Sequence, residues 1–363
     1  MRKQKLPLKI KLDLFSSSQN YARVQGGELM EYFKCESGVL NQGDVLQELK
    51  KLDDKSVNCV ITSPPYWQLR DYGFPEQWGL EPTFEEYLEH LWSMMDEIWR
   101  VLRDDGTVWV NLGDSYRGHS WANKDKFDKK KYSNGKWCGR GGSFEAPNKC
   151  LLLIPHRFAI GCIDRGWIMR NDIIWAKRNG MPESVTDRFS KKHEYVFFMT
   201  KSQKYYFDLD GVRGKLNIDS VKRELRGNRE DTKYGSENGR PNGVHANTMS
   251  KSRIYKGYSE LDAVMLSKKG KNPGSVSDFW DINTKPSKKK HYAMFNTQLI
   301  DKPIIAGCPE GGIILDPFNG TGTTTRRAEQ LGRKWIGIDG SEESCEIAKQ
   351  EIENERSQLR IDF

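Results

Sequence analysis

A parallel α/β fold with helices on both faces of its sheet is what this sequence predicts. Three observations carry that expectation. Apolar, β-branched runs at 57–62, 107–112, 312–316 and 335–339 read as buried strands. Helical stretches separate the first two and the last two, so the strand–helix–strand rhythm occurs twice. A glycine-rich turn at 316–324 joins a strand to a helix.

The elements follow in order. The first 40 residues show little period, and 35–49 could hold a short strand and turn with Gly43-Asp44-Val45-Leu46 in its middle. The strand at 57–62 ends on Ser63-Pro64-Pro65, and two prolines cannot continue a central strand. Thr83-Phe84-Glu85-Glu86 has capping-box form. Phe84, Leu88, Leu91, Met95, Ile98 and Leu102 then share one helical face that Asp105-Gly106 ends. Residues 151–164 read as a helix interrupted near Pro155, and 167–175 and 194–199 as strands. A hairpin is expected around Tyr205-Tyr206-Phe207. A helix at 297–308 tolerates Pro303, a second spans 323–331, and a third spans 341–355 with Ser341 as N-cap.

Composition excludes several classes. The chain has 363 residues, 11% of them aromatic, which argues against wholesale disorder. No stretch approaches the roughly 18 apolar residues of a membrane span. The basic start, Met1-Arg2-Lys3-Gln4-Lys5, is followed by no apolar run, so no secretory signal is expected. Seven scattered cysteines without a Cys-x-x-Cys pair predict neither a disulfide scaffold nor a zinc site, and a reducing cytosol as the setting. The net charge of +8 is uneven. Residues 208–290 carry 18 Lys/Arg against 11 Asp/Glu, and 117–149 carry 9 against 3. A mildly acidic body with two basic inserts suits a polyanion partner, although solubilising loops would look the same.

Two constellations carry chemistry. Asp316-Pro317-Phe318-Asn319-Gly320-Thr321-Gly322-Thr323 leaves a strand and enters a helix. Glycines there allow a tight turn and close approach to a ligand, and a helix start offers N–H donors. The following strand ends in Asp339, 19 positions after Gly320, a spacing at which a carboxylate meets a ribose hydroxyl. Together these read as a nucleoside-cofactor site. The second constellation is Thr62-Ser63-Pro64-Pro65-Tyr66-Trp67. A hydroxyl, a rigid carbonyl and a flat ring suit an exocyclic base amine. The same residues also fit a proline-terminated strand with core aromatics.

Read together, the two motifs resemble the β-group of S-adenosylmethionine-dependent DNA amino-methyltransferases, which methylate cytosine N4 or adenine N6. That resemblance implies a permuted Rossmann-like methyltransferase sheet with helices on both faces, plus a basic target-recognition insert. It implies one catalytic half at 35–207, with its basic loop at 117–149, the insert at 208–290, and a cofactor half at 291–355. Ser63, Pro64, Pro65 and Tyr66 then hold the target base, with Trp67 as packing. The cofactor, S-adenosyl-L-methionine, falls to Asp44, Phe295, Asn296, Asp316, Phe318, Asn319, Gly320, Thr321, Gly322, Thr323 and Asp339. Asn179-Gly180-Met181-Pro182-Glu183-Ser184, Arg188-Phe189 and His193-Glu194 resemble the segment beside the base pocket. Double-stranded DNA is the implied partner, with Arg213, Arg223, Arg226, Arg229, Arg240 and Arg253 offered to phosphate or guanine. A restriction endonuclease acting separately and a cytoplasmic setting complete the implication. Serine at position 63, where adenine enzymes more often carry aspartate, favours cytosine N4 over adenine N6.

Two rival readings remain at this level. A nicotinamide-dependent oxidoreductase would explain Asp339 but not the Ser63 corner. A non-catalytic nucleic-acid binder would explain the charge but not the cofactor constellation. An RNA substrate also fits the basic inserts.

Overall fold

The structure, a computed structural model, describes residues 31–74, 77–117, 146–180, 183–214, 276–284 and 296–361. The chain divides into two units, Met1–Tyr206 with Phe279–Phe363, and Phe207–Asp278.

The first unit is built on one sheet. Its elements are β1 (Glu31–Lys34), β2 (Gly38–Gln42), α1 (Val45–Lys50), β3 (Val57–Thr62), α2 (Phe84–Val101), β4 (Leu102–Leu112), α3 (Ile154–Asp164), β5 (Ile168–Ala176) and β6 (His193–Thr200). In the second unit, α4 (Leu209–Val212) is a single turn capped by the Asp208 carboxylate, which accepts from Gly211 N at 2.9 Å. The first unit resumes with β7 (Phe279–Asp281), α5 (Thr297–Gly307), β8 (Ile313–Asp316), α6 (Thr323–Gln330), β9 (Lys334–Asp339) and α7 (Glu342–Ile361).

The sheet order is β1-β2-β9-β8-β3-β4-β6-β5-β7. Strands β2, β9, β8, β3 and β4 run parallel, and β6 is antiparallel to both β4 and β5. From β8 the chain passes through α6 to β9 on one side. From β3 it passes through α2 to β4 on the other. The neighbours β8 and β3 therefore flank the point where the winding reverses, and in open α/β sheets the crevice outside the carboxyl ends there takes the ligand.

Strand alternation explains the layering. Val60 of β3 faces the cluster formed with α1, α2 and α3, whereas Cys59 and Ile61 face the cluster of α5, α6 and α7; Val57 joins the first cluster because the strand breaks register between it and Cys59. In β4, Val108, Val110 and Leu112 turn to the first cluster and Trp109 to the second, where it stacks on Phe198 at 4.0 Å. Helices thus cover both faces, as the strand–helix–strand rhythm predicted. Helix α2 buries Phe84, Tyr87, Leu88, Leu91, Met94, Met95, Ile98 and Val101, and the Thr83 hydroxyl caps it by accepting from Glu86 N. Among the described residues no helix is long and apolar enough to cross a membrane.

Four local expectations change. Leu102 is not the last residue of α2 but the first of β4, paired with Val57. Its apolar spacing satisfies both elements, and the extended backbone at its position decides between them. Within 35–49 the strand is β2, while Val45 and Leu46 open helix α1 under an Asp44 cap. No hairpin forms at 205–207; the Tyr206 amide donates to Asp105 O, and the Tyr205 ring sits edge-on to Phe198. Finally, Phe279–Asp281, inside the 208–290 stretch, adds an edge strand beside β5.

Candidate active site

Four parallel strands end along one edge, and each ends in a residue the sequence singled out. In spatial order these are Asp44 after β2, Asp339 closing β9, Asp316 closing β8, and Ser63 after β3. The strand ends are tied together. Gly43 N donates to Asp339 O at 3.0 Å, and Thr62 Oγ1 donates to Asp316 Oδ1 at 2.9 Å. Residues 254 positions apart thus join the two motifs side by side.

The glycine turn is shaped as expected. Gly320 (φ 53°) and Gly322 (φ 80°) are left-handed, a conformation glycine adopts without steric cost. A Cβ at Gly320 would meet open space, so the backbone there faces a gap. Gly320 N donates to Asp339 Oδ2 at 2.7 Å and Ser341 N to Asp339 Oδ1 at 2.9 Å, so backbone amides orient this carboxylate. Gly322 starts α6 with no side-chain cap, leaving Thr323 in its first turn at a positively polarised helix end. Asn319 is buried against Gly337, its Oδ1 accepts from Thr325, and its Nδ2 has no partner. The Phe318 ring meets Trp78 edge-on at 5.3 Å.

Electrostatically the turn suits a cationic ligand. Burial pushes the Asp316 carboxyl up to about 6, against the pull of the Thr62 hydroxyl and the Phe318 amide. Burial also raises Asp339. An orphaned buried amide, a gap before Gly320 and two carboxylates together fit S-adenosylmethionine, a nucleoside bearing a sulfonium and an ammonium. Asp44 caps α1 by accepting from Gln47 N at 3.0 Å. Asn296 caps α5 in the same way and donates to Asn283 O.

The Ser63 corner is held from behind. Pro64 is buried, the Pro65 carbonyl accepts from Tyr87 OH at 2.8 Å, and Trp67 is buried edge-on to Phe84. Ser63 Oγ donates to Asn111 Oδ1 at 3.4 Å. Tyr66 OH lies 2.9 Å from Asn111 Oδ1 and 2.8 Å from Glu194 Oε2, and its one proton is shared between them. Burial, with the Glu194 charge behind it, pushes the Tyr66 phenol well up, so it stays a donor. Glu194 is in turn ion-paired with Lys177, whose ammonium lies 4.0 Å from the centre of the Trp175 ring. The Tyr66 ring lies on Gly113, where a Cβ would come within 2.5 Å of Cε2. Only glycine leaves the ring its place.

Asn111 and Lys177 were not singled out in the sequence, and Thr62 was read only as the start of the second constellation. The signal for Asn111 was present: it is the one amide in the apolar run Val108-Trp109-Val110-Asn111-Leu112, and a buried polar group needs a partner. Of the arginines nominated for DNA, Arg213 is ion-paired with Asp210 within the second unit. Arg223, Arg226, Arg229, Arg240 and Arg253 lie outside the described residues, as does Phe295.

Comparisons with known proteins agree with this geometry. A family model, N6_N4_Mtase, described as DNA methylase, matches residues 57–350. The Type II methyltransferase M.Cfr9I of Citrobacter freundii is 34% identical over 325 residues, covering 90% of this chain and 91% of its own. M.SmaI of Serratia marcescens is also 34% identical, over 85% of this chain and 89% of its own. Among solved structures, the PvuII DNA methyltransferase, described as cytosine-N4-specific, aligns with a TM-score of 0.56 at 16% identity, covering 91% of this chain and 89% of its own.

Proposed function

The chain belongs to the N6/N4 DNA methylase family, and from that premise we propose that it methylates the exocyclic N4 of cytosine at a specific site in double-stranded DNA. The coarser activity is that of a site-specific Type II DNA amino-methyltransferase using S-adenosylmethionine. The observation that carries the transfer chemistry is the 2.9 Å bond from Thr62 to Asp316, because it sets an amine-accepting corner against a donor-binding turn, while Ser63 carries the choice of cytosine.

A base amine is a poor nucleophile because its lone pair is delocalised into the ring. Ser63 Oγ and the Pro64 carbonyl accept its two hydrogens and draw the nitrogen toward tetrahedral geometry. Asn111 accepts the Ser63 proton, so the serine lone pairs stay available to the amine. Tyr66 stacks on the base, its ring seated on Gly113 and its hydroxyl fixed by Asn111 and Glu194. When bound, S-adenosylmethionine supplies the sulfonium methyl as electrophile. Transfer of that methyl would leave S-adenosylhomocysteine, and the proton lost by the amine would pass by way of Ser63 Oγ to solvent. Asp316, Asn319, Asp339 and the amides around Gly320 and Gly322 hold the donor, Asp44 reads its adenine, and Phe295 and Asn296 belong to the segment that closes over its methionine end. Positioning and electrostatics supply the rate, since little covalent help is available.

The target base is inaccessible within a duplex, so the enzyme extrudes it. The stretch 208–290 reads the sequence and the arginines at 213, 223, 226, 229, 240 and 253 meet phosphate or guanine. A restriction endonuclease acting separately in the same cytoplasm accounts for such a methylase. Serine at 63 favours cytosine. Modified-base sequencing of DNA from cells expressing the chain is expected to find N4-methylcytosine at one recurring sequence. N6-methyladenine alone would reverse the choice of base, and unmodified DNA exposed to active purified enzyme and donor would contradict the reading altogether.

A further inference from the structure

We propose that Phe189 is the wedge that enters the DNA stack as the target base leaves it. This rests on the reading of the chain as a base-extruding DNA methylase. Phe189 is 97% exposed, in the loop between β5 and β6. Among the exposed large apolar side chains of the described residues it stands furthest into solvent, the next being Ile160 at 59%.

The ring stands on a fixed pedestal. Arg188 Nη1 donates to Glu183 Oε2 at 2.6 Å and to the Phe189 carbonyl at 3.0 Å. The same guanidinium lies 4.0 Å from the centre of the Tyr116 ring. On the far side, Lys191 N donates to Glu183 Oε2 at 3.4 Å and its ammonium donates to the Asp114 carbonyl. The Asp187 carboxylate pairs with Lys149. With both flanking residues anchored, the one apolar side chain between them is held out toward solvent.

Its position relates it to the Ser63 corner. The loop closes on Glu194, whose carboxylate fixes Tyr66 OH. Asp114, which anchors Lys191, directly follows Gly113, the seat of the Tyr66 ring. The pedestal and the base-stacking ring therefore share two supports. The surrounding charge fits a polyanion: Lys177, Arg178, Arg188, Lys191 and Lys192 belong to this connection, against Glu183 and Asp187. A duplex that has lost a base from its stack has an apolar gap one ring thick, and apolar side chains, phenylalanine among them, enter between base steps in other DNA complexes.

The test compares wild type, Phe189→Ala and Phe189→Trp in single-turnover methyl transfer. Two duplexes carry the enzyme's own modified site. In one the target base is normally paired; in the other it faces an abasic position and needs little help to leave the stack. Phe189→Ala is expected to be slower than wild type by about tenfold or more on the paired duplex and level with it on the abasic one. Phe189→Trp should keep most of the activity. Melting temperature and binding of S-adenosylhomocysteine should not move, because the ring is 97% exposed and buries almost nothing in the free protein. Equal rates for wild type and Phe189→Ala on the paired duplex, or equal loss on both duplexes, would overturn the wedge and leave the methylase reading standing. Wild-type transfer to neither duplex would remove both.

Discussion

Ser63→Ala should lower the methyl-transfer rate by about a hundred- to a thousandfold, the loss typical when one preorganised hydrogen-bonding group at the reacting centre is removed. The effect belongs to the rate and not to binding. Ser63 touches Asn111 through a long 3.4 Å bond, so little folding energy depends on it. It follows β3, whereas most of the groups proposed to hold the donor follow β8 and β9. Calorimetric titration with S-adenosylhomocysteine should therefore give wild-type affinity, and single-turnover transfer to DNA should show the whole loss. Ser63→Thr retains the hydroxyl and should recover part of the rate. An unchanged rate in Ser63→Ala would take this residue out of the chemistry.

Asp316→Asn should raise stability and weaken donor binding at once. Burial pushes this carboxyl up to about 6 in the fold, against about 3.9 for an aspartate in water. Between those values the folded chain holds the proton more tightly than the unfolded chain. Its stabilising contribution is complete below about 4 and lost as pH rises through about 6. At pH 8 the protein carries an ionised carboxylate it would rather not bury. Asparagine keeps the acceptor for Thr62 Oγ1 and Phe318 N without the charge. The variant should melt a few degrees higher than wild type at pH 8, with the gap closing toward pH 4. Donor affinity should fall by about tenfold or more at pH 8, the expected scale for losing a charged partner. A purely structural Asp316 would not couple a gain in one measurement to a loss in the other.

How much of this was legible depends on sequence distance. The β3 strand, the α2 cap and the Gly320–Gly322 turn announce themselves because their causes are local: branched residues ending in prolines, a capping box, glycines at a strand-to-helix junction. Their pairing was inferred from resemblance, and the physical link, Thr62 to Asp316, spans 254 positions. Asn111 is marked only as a lone amide in an apolar run and Glu194 only by resemblance; they meet at Tyr66 because β4 and β6 are neighbours, which neither segment shows by itself. Leu102 misled because one apolar residue can satisfy a helix face and a strand face alike. The three-residue β7 is too short to leave a period, and the aromatic pair at 205–206 looked like a hairpin because strands favour such residues, though here they pack on Phe198 and bond Asp105.

The central claim is that the turn after β8 and the corner after β3 line one crevice. A crystal structure of the chain with sinefungin and a duplex bearing its modified site tests it most directly. The nucleoside is expected against Asp339 and the Gly320–Gly322 backbone, and an extruded base on Tyr66 with its amine in hydrogen-bond reach of Ser63 Oγ. A base bound away from Ser63, or a nucleoside lodged elsewhere in the fold, would contradict it.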